Sequence, residues 1–310
     1  MNRTPPMSNL RGMGIVTVDR HESALGVWTS TAWRPAPGSY LAGTVERIWH
    51  FDGTLHAARE RIFPDATLEL IVQLDTPHRP GIDEPAERFP ALCVTGLRTT
   101  AEVVEAPASR CRVLGVILAP TAAFALLGSA LPDYTSITVD MHDVIGAAAE
   151  DLATRVQDAR DGTAAVHAAA AWAEQRLAHG RQPDATVARA LGAIAADGGT
   201  RSIVALDAWR GHSRTRFTAA FRDQVGVSPK RFARIVRFDR ALDALRRGHG
   251  SLGNVALAAG YYDQAHFTSE FREHAGLTPT AYLAALRYPS ERSLVEPAEQ
   301  YFQDGVAGVG

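Results

Sequence analysis

The sequence predicts an α+β protein of two domains: a small N-terminal β-barrel or sandwich, a helical connector, and an all-α C-terminal domain of two helix-turn-helix units joined by a long helix. Three observations carry this. Short β-branched and aromatic runs separated by Gly and Pro turns fill residues 40–118. Alanine-rich helix formers follow from about residue 140. A nine-residue stretch then recurs at an offset of 50. A chain of 310 residues fits two cores better than one.

In chain order, Tyr40–Phe51 mixes β-branched and aromatic residues and ends at Asp52-Gly53, a strong hairpin dipeptide, so Thr54–Phe63 is expected to return. Pro64-Asp65 breaks the chain before Thr67–Leu74, where Leu68, Leu70, Val72 and Leu74 share one strand face. Ala91–Thr95, Ala101–Glu105 and Cys111–Leu118 are further strands, and Pro120 opens a short helix, Thr121–Leu127. Residues 1–140 form the β-rich unit and 141–198 the connector, with helices over Ala147–Ala159, Ala164–His179 and Asp184–Ala196. Gly198-Gly199 is the expected hinge, 199–290 the helical domain and 291–310 an acidic, flexible tail. Whether the connector dimerises the chain or only links its parts stays open.

Charge is unevenly spread. The net charge is −2, yet residues 1–200 carry 17 Lys+Arg against 23 Asp+Glu, residues 201–290 carry 14 against 7, and the tail carries 1 against 4. A basic segment of this length on an acidic protein points to a polyanionic partner.

The repeat pairs Phe221–Pro229 with Phe271–Pro279, seven of nine positions being identical or close in chemistry. In the second copy Ser251 is placed to cap a helix with Leu252, Val255, Ala256 and Ala259 on one side. Gly260 ends that helix, and Asp263 caps the next one, Gln264–His274. Phe267 and Phe271 then face the core, while Gln264, Ala265, Thr268, Ser269 and Arg272 gather on a separate face and His266, Glu270 and Glu273 turn to a third. An amide, a methyl, two hydroxyls and a guanidinium suit base edges and phosphates. In the first copy Ser213 caps, Phe217 and Phe221 face inward, and Arg214, Thr215, Thr218, Ala219 and Arg222 fill the equivalent face. Lys230–Arg247 joins the copies as a helix long enough to hold two reading heads roughly 25 Å apart.

Ser251–Tyr282 resembles the signature region of the AraC/XylS family of bacterial transcription regulators, and the likeness covers about ninety residues. The resemblance implies two helix-turn-helix units on one chain, reading double-stranded operator DNA through Thr215, Thr218 and Ala219 in the first and Gln264, Ala265, Thr268 and Ser269 in the second. The stretch Arg61–Leu70 is similar to β-rich sensory domains that precede such regulators, which implies a small-molecule effector but names none. A homodimer and contact with RNA polymerase are further partners left open. The first unit departs from the pattern at Asp207 and Arg210, charged residues in the helix expected before its second helix, where the second unit's first helix has alanines such as Ala256 and Ala259. That departure keeps a rival reading in view, a ligand- or partner-binding protein whose DNA reading has weakened.

Little enzymatic chemistry is legible. No phosphate-cradling glycine loop or nucleophile elbow stands in a suitable context, so the chain is not expected to be an enzyme or to need a cofactor. His50 and His56 lack a partner carboxylate at ligand spacing, so no metal is expected. Asp65 and Glu69 are read as turn and strand-surface residues. Cys93 and Cys111, the only cysteines, are read as buried reduced thiols. Trp49, Phe51, Phe63 and Leu70 are expected to line a barrel interior suited to a small, partly apolar effector. No apolar run reaches the ~20 residues that span a bilayer, and Met1–Leu10 lacks a secretory pattern, so no membrane partner is expected and the cytoplasm is the expected location.

Overall fold

The computed structural model describes residues 14–23, 26–55, 59–81, 87–200, 213–248 and 250–287. Among the described residues ten strands run as β1 Gly14–Ser23, β2 Gly26–Pro35, β3 Val45–Leu55, β4 Arg59–Ile62, β5 Leu68–Gln73, β6 Arg79–Pro80, β7 Leu92–Thr95, β8 Glu102–Glu105, β9 Cys111–Leu118 and β10 Thr138–Asp140. Seven form one antiparallel sheet in the order β1-β2-β3-β9-β5-β7-β10, and three form a second in the order β4-β8-β6. The large sheet is open, so of the two expected forms, barrel or sandwich, the closed barrel is not the one formed. β4, β6 and β8 pair with one another instead of closing the large sheet, and the two sheets face each other across a cavity. β1 and β2 lie outside the strands assigned from the sequence.

The predicted turn at Asp52-Gly53 does not form either. β3 runs straight through it, with Gly53 opposite Cys111 on one side and Trp28 on the other. A Cβ on Gly53 would lie 2.4 Å from the Trp28 Cα, so this glycine serves a close approach between strands.

The large sheet has two apolar faces because side chains alternate along each strand. Ile48, Leu68, Leu70, Val72, Val94, Leu114 and Val116 point to one side, which helices cover. Of the helices on that side, α1 Pro120–Leu127, α2 Met141–Ile145 and α4 Gly162–Ala178 meet the strands, α3 Ala147–Gln157 packs on α4, and α5 Ala185–Ala196 joins the same core next to the helices that follow. Ala169, Ala170 and Ala173 let α4 approach closely, and a Cβ on Gly162 would meet His50 Nδ1 at 2.8 Å. Residues 141–198 therefore share the core of the sheet rather than forming a free-standing connector. Trp172 Nε1 donates to the Ala148 carbonyl at 3.2 Å and Arg176 Nη2 to that of Leu126 at 3.0 Å, tying α4 to α3 and α1.

Five helices follow: α6 Arg214–Val225, α7 Pro229–Arg246, α8 Leu252–Ala258, α9 Gln264–Ala275 and α10 Pro279–Arg287. Gly198 and Gly199, at φ of 66° and 72°, end α5. They pack against α7 rather than stand free, since a Cβ on Gly199 would lie 2.1 Å from the Ala233 carbonyl oxygen. The sheet's core runs on into α6 and the first half of α7 through Phe217, Phe221, Phe232 and Ile235. A second core joins the end of α7 to α8, α9 and α10, and includes Phe63 from the β-rich part. The acidic tail beyond residue 290 lies outside the described residues.

Candidate nucleic-acid interface and the cavity behind it

Two side-chain caps shape the second unit. Ser251 Oγ accepts from the Asn254 N–H at 3.3 Å to start α8, and Asp263 Oδ1 accepts from the His266 N–H at 2.7 Å to start α9. Gly260, at φ 85°, makes the turn where the chain passes Thr200; a Cβ there would lie 2.3 Å from Thr200 Cγ2. Phe267 and Phe271 are fully buried. Gln264, Ala265, Ser269 and Arg272 are exposed and Thr268 is half-buried, and all five line one shallow open groove. Thr278, which the sequence reading did not single out, lines it too, and its hydroxyl caps α10 by accepting from the Ala281 N–H at 3.2 Å. The Thr268 hydroxyl donates to the Gln264 carbonyl at 2.8 Å, so it faces outward chiefly as an acceptor and a methyl.

The third face of α9 packs on α7. Glu270 is buried and held by Arg234 Nε at 2.8 Å and Arg237 Nη2 at 2.8 Å, while Glu273 meets Arg234 Nη2 at 2.5 Å. Burial pushes the Glu270 carboxyl up, and the hydrogen bonds from Arg237 and Arg234 outweigh it, leaving it below its ordinary value. Its charge is thus turned inward.

The first unit repeats this helix. Ser213 Oγ accepts from the Arg216 N–H at 3.3 Å to start α6. Arg214, Thr215, Ala219 and Arg222 are exposed, Thr218 is half-buried, and Phe217 and Phe221 enter the core. The helix expected before α6, with Asp207 and Arg210, lies outside the described residues.

Both α6 and α9 end on the rest of the molecule. Gly226 and Gly276 give them left-handed C-caps. In α6, Gln224 Oε1 accepts from the Asp184 N–H at 2.8 Å, and the Gly226 carbonyl accepts from Thr135 Oγ1 at 3.0 Å. In α9, His274 Nδ1 donates to the Thr99 carbonyl at 2.8 Å, and the His274 carbonyl accepts from the Ala101 N–H at 2.6 Å. Arg61 Nη1 donates to the Ala275 carbonyl at 2.9 Å. Burial lowers the His274 pKa and the Thr99 bond only partly opposes this, so the ring is held neutral as the Nδ1–H tautomer.

The cavity between the sheets occupies about 760 Å³ including its open mouth. Trp49 and Phe51 line it as expected from the sequence; Leu70 and Phe63 do not. Leu70 has the parity of the helix-covered face, so its neighbours Glu69, Ile71 and Gln73 point inward instead. Phe63 leaves the β-rich part altogether, packing edge-on to Tyr282 at 5.5 Å and near Phe238 at 6.4 Å. Glu69 is buried rather than on the surface, accepts from Trp49 Nε1 at 3.2 Å and pairs with Arg98 at 3.7 Å. Asp65 does form a turn, accepting from the Thr67 N–H at 3.1 Å. Cys93 lines the cavity and its thiol is pushed up to about 12 by burial, then by Glu69. Cys111 is buried as well, and both cysteines are free. His50 lies buried beneath α4, while His56 is outside the described residues.

Comparison with known proteins separates the chain into the same two parts. Residues 210–285 match the model of a helix-turn-helix domain. The chain carries a helix-turn-helix domain of the AraC type. Residues 34–140 match a domain of unknown function (DUF6597). Over 70 residues the AraC-type domain is 36% identical to an uncharacterized HTH-type transcriptional regulator of Haemophilus influenzae, covering 23% of this chain and 24% of that one. Over 62 residues it is 32% identical to the HTH-type transcriptional activator RhaR of Pectobacterium atrosepticum, covering 20% and 22%. The chain thus spans about a quarter of the length of these curated relatives. Among solved structures, ToxT of Vibrio cholerae is 10% identical at a TM-score of 0.41, over 74% of this chain and 96% of that one. No described helix is long and apolar enough to cross a membrane.

Proposed function

We propose that this protein is a sequence-specific regulator of transcription that reads double-stranded DNA with α6 and α9 and responds to a small molecule held between its two sheets. The observation that carries the first half is the pair of reading faces. Arg214, Thr215, Thr218, Ala219 and Arg222 on one helix, and Gln264, Ala265, Thr268, Ser269 and Arg272 on the other, are exposed or half-buried and include no carboxylate, and Glu270 of the second helix is drawn inward by α7. α7, at 18 residues, spans roughly 27 Å, close to the ~34 Å turn of B-DNA that separates successive major-groove segments. The role is binding rather than catalysis, and the cytoplasm is where such a protein meets its operator. A second copy of the chain and RNA polymerase are the further partners this role admits.

The second half rests on a shared wall. Along β4 and the residue after it, Glu60 and Ile62 face the cavity while Arg61 and Phe63 grip the second unit. Along the segment that leads into β8, Arg98 and the first β8 residue Glu102 face the cavity while Thr99 and Ala101 hold His274. A molecule entering the cavity therefore presses on the back of the surface that positions α9.

The test is selection of bound sequences from a random DNA pool by the full chain, followed by a salt series on the recovered site. The reading predicts a recurrent motif that stays bound at salt concentrations that release random DNA. Recovery of no motif, with identical salt curves for selected and random DNA, overturns it.

A further inference from the structure

We propose that the cavity between the two sheets takes a small organic cation with an apolar, aromatic-compatible body. Much of the lining is apolar: Trp49, Phe51 and Phe89 supply ring surface, and Ile71 and Val104 add aliphatic surface. Such walls stack on an aromatic or alkyl body and on a cation's face. The polar groups set the sign. Among the described lining residues stand three carboxylates, Glu60, Glu69 and Glu102, against one guanidinium, Arg98.

That guanidinium is already engaged. Arg98 lies 3.7 Å from Glu69 and 3.4 Å from Glu102, and its side chain is only 12% exposed. An incoming anion would meet Arg98 with two carboxylates already on it. An ammonium or amidinium would meet carboxylates on both sheets, Glu69 on β5 and Glu60 and Glu102 on β4 and β8. The remaining titratable groups among the described lining add no charge at neutral pH, because burial lowers His78 to about 4, leaving it neutral, and keeps the Cys93 thiol from ionising. A cation displacing Arg98 from Glu102 also acts on the segment that carries Thr99 and Ala101, which are bonded to His274 of α9. The inference deepens the effector half of the proposed function and does not depend on the DNA half.

The test is calorimetric titration of the full chain with three probes that share a body and differ in charge: 4-phenylbutylammonium, 4-phenylbutanol and 4-phenylbutyrate. The cation is expected to bind about tenfold tighter than either of the others, the about 1.4 kcal/mol that tenfold represents being the scale of a single added charge contact. Glu69→Gln and Glu102→Gln should each remove most of that preference while leaving the alcohol's affinity within about twofold; Gln at 69 retains an acceptor for Trp49 Nε1. Far-ultraviolet circular dichroism and thermal melts of both variants separate lost charge from lost fold, and Glu102, on the more open rim, serves where the Glu69 variant unfolds. Tightest binding by the carboxylate, equal binding by all three, or no binding by any overturns the proposal. Selective cation binding that leaves affinity for the selected DNA unchanged upholds the ligand class and overturns the effector role instead.

Discussion

At the last turn of α6 stands Gln224, and at the matching place in α9 stands His274; both are buried, and each bonds outside its own unit. Gln224 accepts from the start of α5, in the helical layer that covers the large sheet. His274 donates to Thr99, on the wall of the cavity. The carbonyls just beyond differ in the same way, Gly226 being held by Thr135 and Ala275 by Arg61. Duplication kept what a reading helix needs: cap, aromatic pair and terminal glycine. It let the docking residues diverge, because each copy meets a different surface. The first unit is continuous with the main core and the second hangs on the cavity wall, so an effector should reach the second unit first.

The largest expected effect tests that attachment. Phe63→Ala removes a ring buried among Phe238 and Tyr282, and should cost about 3–4 kcal/mol. The loss should be local. Amide exchange should quicken in α8–α10 and stay near wild type in α6, and equal quickening in both units would show that they are held as one body.

Next comes the charge that binds α9 to α7. Glu270→Gln leaves Arg234 and Arg237, 27% and 15% exposed, without their shared carboxylate, and should destabilise by about 2 kcal/mol once solvent screening is allowed for. The position in α6 is Ala220, so the first unit has no such weld, and Ala220→Glu should bring no compensating gain. Chemical denaturation of both variants checks the asymmetry. Since the Glu270 carboxyl lies below its ordinary pKa, its contribution is present above about pH 4.5 and is lost as pH falls through the lower folded value. The gap between wild type and Glu270→Gln should therefore close in acid.

Sequence reasoning reached the second unit nearly residue by residue, because helix faces follow from a 3.6-residue period and caps from single side chains. It reached half of the cavity. Trp49 and Phe51 stand out as aromatic, but Glu69 reads as a strand-surface residue because its parity in Leu68–Gln73 is opposite to that of Leu68, Leu70 and Val72. The open question for any such strand is whether its second face meets water or another sheet, and that depends on partners far away in the chain. Phe63 and the Asp52-Gly53 step failed for a related reason. A local turn signal was overridden by pairing of β3 with β2 and β9, which set where the strand ends.

A smaller effect concerns the far end of α7, where Asp239 faces Asp65 and Glu46 of the β-rich part, with Asp243 and Arg246 alongside. Burial, then Asp65, raises Asp239 to about 7. A carboxyl with a raised folded pKa favours folding while protonated, so this stability is full below about pH 3.8 and is lost as pH rises through about 7. Asp239→Asn should accordingly stabilise by roughly 1–2 kcal/mol at pH 8, with the gain shrinking towards pH 4. Arg246 also donates to the Tyr282 hydroxyl at 3.2 Å, so the gain should appear in the second unit's exchange rates before the first's. A gain that does not vary with pH would place the cause elsewhere.

The finest comparison is between the reading faces themselves. Gln264 presents an amide able to donate and accept in the same plane, and it sits at the first turn of α9 over Gly253. Thr218 offers one hydroxyl on a half-buried side chain, and its neighbour Ala219 offers only a methyl. On this contrast Gln264→Ala should cost about 1 kcal/mol of discrimination at one base pair, while Thr218→Ala should lower affinity across operator variants by less and without preference. Binding measured over a panel of single-base operator variants at fixed salt separates the two patterns. Equal loss of selectivity would mean that the two units divide the reading evenly, and that their different attachments serve regulation alone.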